Sequence, residues 1–187
     1  MKKMVKILKK MCIKCKIWYN TSTKKQISNN NKNMKDEEEK MNTPYSAMNL
    51  SKYIIDFCYK NNCPVSNLKL QKMLYFLQVD SYQNNSTLLF DEGIYAWPYG
   101  PVVPEVYRRY SGYGGATIHN EYEIQNKEKY ACLNEKILFL AQYDSWDLVG
   151  VSHKEDGPWD RVYKNGEGEG DLIRPDLFQY EEFKILA

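Results

Sequence analysis

The chain has 187 residues, enough for one domain with a substantial buried core and an appendage. Its 26 basic and 24 acidic side chains are unevenly divided: residues 1 to 41 hold 12 lysines against 4 acids, net +8, while residues 42 to 187 hold 14 against 20, net −6. An acidic body repels phosphate backbones, which excludes nucleic acid as the main domain's expected partner and suits a basic protein instead.

Residues 1 to 19 place Met4, Leu8, Met11, Cys15 and Trp18 along one helical face among lysines. A basic amphipathic segment of this kind can lie on an anionic membrane or a partner, or be an incidental extension. Lysines interrupt any signal-peptide core, and no apolar run approaches the roughly 18 to 20 residues that span a bilayer, so the expected compartment is the cytoplasm. Residues 20 to 41 are too polar to offset their ordering entropy and read as a linker. The expected division is therefore a basic extension over 1–41 and a domain over 42–187.

From Ser46, the apolar positions Ala47, Leu50, Ile54, Phe57 and Cys58 predict a helix ending near Asn61 and Asn62, before Pro64. Ser66 is placed to cap a second helix. Its apolar residues, from Leu68 to Val79, cover almost the whole circumference and make it the central, buried one. Leu88 to Ala96 reads as an extended segment or small strand. The two X-Pro steps of Trp97-Pro98-Tyr99-Gly100-Pro101 make a stiff loop that directs Trp97 and Tyr99. Pro104 opens a helix, with Arg108 and Arg109 near its negative end and Gly112 as its stop. A weak hairpin is predicted over Ile118 to Ile124 and Lys129 to Leu133. A helix capped by Asn134 comes next, then short helices around Trp146 to Ser152 and from Pro158, and a closing helix over Asp176 to Phe183.

Two stretches have a word order that generic helix and turn chemistry does not require. One runs from Leu68-Lys69-Leu70-Gln71-Lys72-Met73 through Gly93-Ile94-Tyr95-Ala96-Trp97-Pro98-Tyr99-Gly100-Pro101-Val102 to Tyr110-Ser111-Gly112-Tyr113-Gly114. The other is Ser152-His153-Lys154-Glu155-Asp156-Gly157-Pro158-Trp159. Together, over residues 45 to about 183, they resemble the Panacea domain, the family of SocA-like antitoxins and phage-associated proteins. The resemblance implies a cognate toxin protein as partner and binding without small-molecule chemistry. The expected fold is mainly α, a compact helical domain with a small β element behind a disordered or partly helical N-terminal tail.

Cys12 and Cys15 form a CxxC, but no second pair or closely spaced histidines complete a zinc site; with Cys58, Cys63 and Cys132 they read as reduced thiols, and no metal or cofactor is expected. His119 and His153 are the two histidines, and adjacency of Ser152 and His153 is not a hydrolase arrangement. The segment Gly166-Glu167-Gly168-Glu169-Gly170-Asp171 has carboxylates that would repel phosphate and reads as a flexible acidic loop.

Tyrosine and tryptophan favour interfaces because a large apolar face ends in a polar tip. Partner contacts are expected at Trp97, Tyr99, Arg108, Arg109, Tyr110 and Tyr113, with His153 and Trp159 as further contacts, whereas Tyr75 and Tyr107 are expected in or near the core. The expected activity is antitoxin-like neutralisation of a toxin by direct binding, with no enzymatic step. One alternative is an adaptor that delivers the bound toxin to a cellular protease; another, from a different class, is a hydrolase using His153.

Overall fold

The computed structural model describes residues 45–185. The basic extension, its amphipathic segment and its Cys12–Cys15 pair lie outside those residues.

Helix α1 (Ala47–Lys60) buries Ala47, Leu50, Ile54 and Cys58 at helical spacing, and Lys60 in its last turn pairs with Asp56 at 2.7 Å. Its first turn is capped from a distance. Both carboxylate oxygens of Glu92 accept from the Ala47 N–H at 3.0 Å, while the Ser46 side chain makes no cap bond.

Helix α2 (Asn67–Asn85) is the axis of the domain. Ser66 caps it by accepting from the Lys69 N–H, and every residue from Leu70 to Ser81 is buried. Helix α1, the later helices and the closing turn pack around it. Its apolar side chains give the burial that periodicity implies. The buried polar residues have a separate task that no periodicity shows. Asn67 donates to the Tyr107 carbonyl at 3.0 Å, and Gln71 accepts from the Val103 N–H at 2.9 Å. Gln78 accepts from the Leu89 N–H and donates to the Phe90 carbonyl, and half-buried Gln83 donates to the carbonyls of Phe178 and Glu181. Buried amides must be bonded, so each one fixes a stretch of backbone that runs past the helix.

Strands β1 (Tyr95–Trp97) and β2 (Gly100–Val102) form an antiparallel hairpin, with Tyr95 opposite Val102, Ala96 opposite Pro101 and Trp97 opposite Gly100. The stiff loop expected around Pro98 is the turn of this hairpin. Pro101 is tolerated because β2 is an edge strand, whose free side faces α2. On the other edge of β1, residues 170–173 add a third extended segment: the Gly170 N–H donates to the Ala96 carbonyl, Ala96 N–H to Asp171, and Ile173 N–H to Ile94. The glycine-rich segment is thus docked rather than a flexible acidic loop. A Cβ on Gly168 would lie 1.9 Å from the Val162 carbonyl oxygen, so this glycine permits a close backbone approach.

Helix α3 (Pro104–Tyr110) begins at its proline and passes into a 3-10 turn, Ser111–Tyr113, instead of stopping at Gly112. The expected hairpin over 118–133 does not form. Ile118 donates to Val65, Thr117 bridges to Ser66, and Lys127–Leu133 is a 3-10 helix. Helix α4 (Asn134–Ala141) follows, and Asn134 is not its cap; the Asn134 side-chain oxygen accepts from the Tyr53 hydroxyl at 2.6 Å. Helix α5 (Ser145–Ser152) is capped by Asp144, and helix α6 (Pro158–Tyr163) opens on Pro158. The closing helix is a 3-10 segment, Pro175–Tyr180.

Candidate functional site: a latched aromatic hairpin

Three side chains hold the hairpin from beneath. Lys72 on α2 is fully buried and donates to the Pro101 carbonyl at 2.9 Å. Gln71, one position earlier, holds Val103. Trp159 on α6 donates from its indole Nε1 to the Trp97 carbonyl at 2.9 Å. Gly100 has φ +96°, and a Cβ there would lie 2.7 Å from the Lys72 amine and 2.8 Å from the Ser152 hydroxyl. No side chain other than hydrogen fits. Burial pushes the Lys72 amine down to about 7, since the cation gives up hydration without an opposite charge beside it.

His153 stacks flat on Trp159, 3.6 Å between centroids and 3° between planes, and Tyr163 covers the other face at 4.4 Å. Its Nε2 is buried without a hydrogen-bond partner, and its pKa is lowered, by burial first and the Lys72 charge second. The neighbouring Ser152 hydroxyl donates to the Val149 carbonyl at 2.9 Å. That hydroxyl is committed to the helix backbone. His153 and Trp159 therefore brace the hairpin, with Trp159 buried.

What the latch presents to solvent is aromatic. Tyr99, in the turn, is 63% exposed, and Trp146 on α5 is 62% exposed. Their rings meet edge to face, 5.8 Å apart and 85° between planes. Lower on the hairpin, half-buried Trp97 meets Tyr107 edge to face at 5.0 Å. Tyr107 is 37% exposed, whereas Tyr110 is completely buried. This reverses the expectation for the two tyrosines. Val106 and Tyr110 are four apart and share the inward face of α3, which turns Tyr107 outward.

The Tyr110 hydroxyl accepts from the Tyr122 hydroxyl at 3.2 Å, so it is no surface contact. Arg108 and Arg109 are exposed on α3, and Arg109 lies over the Tyr110 ring, 5.7 Å from its centroid. Half-buried Tyr113 accepts from Asn120 at 2.9 Å. Trp146, Lys72, Gln71 and Glu92 were missed as functional or positioning residues. Trp146 alone had a legible signal. At about 100° per residue it falls off the Leu148, Val149 and Ser152 face of its helix.

Among the described residues no group of three or more His, Cys, Asp or Glu side chains is arranged to hold a metal ion, and no helix is long and apolar enough to cross a membrane. Cys58 and Cys63 are free thiols.

Residues 70–160 match the family model described as antitoxin SocA-like, Panacea domain. This span starts at α2 and ends with Trp159 and Asp160, and so includes the whole latch. Over these residues the chain is similar to the SocA-like Panacea family. Antitoxin SocA of Caulobacter vibrioides (strain NA1000 / CB15N) is 27% identical to this chain over 161 residues, an alignment covering 74% of this chain and 85% of the relative. No solved structure gives a significant match. The geometry explains why the Panacea signature has its distinctive wording. Gln71, Lys72 and Trp159 bond to the backbone of Val103, Pro101 and Trp97 inside the domain, Gly100 leaves room for the Lys72 amine, and Tyr99 is left outside.

Proposed function

We propose that this Panacea-like domain is an antitoxin that neutralises a cognate toxin protein in the cytoplasm by binding it directly, through the surface built on the latched hairpin. Support comes from the family match, the antitoxin relative and the acidic body. The observation that carries the reading is the pair of large rings at Tyr99 and Trp146, both more than half exposed, the first on a hairpin that three buried side chains hold in place and the second in the Asp144-capped first turn of α5. Rigid aromatic anchors of this kind dominate protein interfaces because they bury large area at little entropic cost. Trp97, Tyr107, Arg108, Arg109 and Tyr113 extend the surface, and His153 and Trp159 support it from behind. No nucleotide, metal or substrate takes part.

The test is co-expression with the product of the neighbouring reading frame, followed by purification and affinity measurement. Tyr99→Ala or Trp146→Ala should weaken the complex at least about thirtyfold, about 2 kcal/mol, and abolish protection in parallel, with the fold retained. Folded variants that bind and protect as well as the parent protein would overturn the assignment of this surface. In the adaptor alternative, the toxin's level falls only when a cellular protease is present; unchanged toxin levels with protection intact support occlusion.

A further inference from the structure

We infer that the corner between Tyr99 and Trp146 is a receptor for a guanidinium group on the bound protein, an assignment that rests on the binding role proposed above. Two rings standing at 85° form a floor and a wall, and each ring face carries negative quadrupole density that attracts a flat cation. Asp147 follows Trp146 in the chain. It is exposed, and among the described residues no ion pair reaches it. Arginine suits both features, since its planar fork can stack on a ring while its edge N–H groups reach a carboxylate.

The other charges nearby favour the same occupant. The positive end of α5 would draw an anion, but the Asp144 carboxylate already accepts from the Trp146 and Asp147 N–H groups, at 2.7 and 2.9 Å. Its charge offsets the helix end. Of the body's four arginines, Arg109 lies over the buried Tyr110 ring, Arg161 lies over Tyr180 and Arg174 pairs with Asp176, so these three do not occupy the corner. Gly150, one turn after Trp146 on the same helix, has nothing within 4 Å of where a Cβ would stand. It leaves room along the helix for the chain that carries the arginine. The net charge of −6 on residues 42–187 steers a basic partner to this domain.

The probe is a blocked five-residue peptide with two arginines among leucine and glycine, compared with the same peptide bearing citrulline, which has nearly the same shape without the charge. The full-length protein, labelled with nitrogen-15, is titrated with each while the indole N–H signal of Trp146 is followed, the signal being assigned by its loss in Trp146→Phe. The arginine peptide should move that signal saturably and bind at least about fivefold more tightly than the citrulline peptide. Asp147→Asn should weaken it about threefold or more, and Tyr99→Ala should abolish the response. Equal response to both peptides would mean an apolar site. No saturable shift, or a shift that follows self-association in sedimentation, would likewise overturn the assignment. If the peptide test fails while Tyr99→Ala still loses the toxin, the corner binds a different group and the neutralising role stands. If the peptide binds while Tyr99→Ala still protects, the neutralising surface lies elsewhere.

Discussion

Replacing Lys72 by methionine tests the latch at its most unusual point. The amine is fully buried, its hydrogen bond goes to the Pro101 carbonyl, and no carboxylate pairs with it. Its value is about 7 in the folded domain against an ordinary 10.5, so between those limits the unfolded chain binds the extra proton. Stability contributed by this group therefore rises with pH across that interval, and falls as pH drops toward the folded value. Integrating the linkage between about pH 7 and about pH 9 gives a gain of about 2 kcal/mol for the parent protein. Lys72→Met keeps the volume and removes the charge, leaving the Pro101 carbonyl unbonded at a cost of about 1 kcal/mol. It should lack that slope and be as stable as the parent, or more so, near neutrality. Urea unfolding under reducing conditions at a series of pH values reads both curves, and their difference cancels the titrating groups that do not feel the Lys72 charge; His153, which does, is lowered from its ordinary value. If parent and variant change in parallel from pH 7 to pH 9, the amine is not held as a reluctant cation, and the electrostatic account of the latch is refuted.

Gly100→Ala must place a methyl group at φ +96° against the Lys72 amine and the Ser152 hydroxyl, and should cost about 2 kcal/mol or more in chemical denaturation; a neutral result would show that the turn can rearrange. Glu92→Ala removes the remote cap of α1, with an expected loss of about 1 kcal/mol and faster amide exchange at Ala47. Leu74→Asp places a charge in fully buried surroundings on α2, and persistence of a cooperative, near-parental unfolding transition would show the core to be elsewhere. Deleting residues 1–41 should leave folding intact because that segment is mostly polar; a fall in Tm of more than about 4 °C, about 1 kcal/mol for a domain of this size, would contradict this.

The elements that were legible in advance are those governed by local chemistry. Ser66 precedes an apolar periodic run and caps it, Pro104 and Pro158 stand where a missing N–H costs nothing, and the all-round apolar character of α2 made it central. The Panacea wording was legible as a family mark, and Tyr99 as an exposed ring, because a turn between two X-Pro steps has few ways to bury a ring.

Tertiary structure alone decided the rest. Whether Tyr107 or Tyr110 faced inward depended on the rotation of α3 against α2, which no seven-residue helix announces by itself. Asn134 and the glycine-rich segment looked like a cap and a loop because their partners, Tyr53 and Ala96, are more than 70 residues away. Lys72 and Gln71 looked like ordinary polar positions for the same reason: the carbonyl and N–H that claim them belong to a hairpin about 30 residues later. Trp146 became half of a corner only when α5 came to rest beside the Tyr99 turn. Periodicity and capping act within a few residues and are written in the chain, whereas the bonding of buried polar groups is settled by whichever distant backbone the core brings against them.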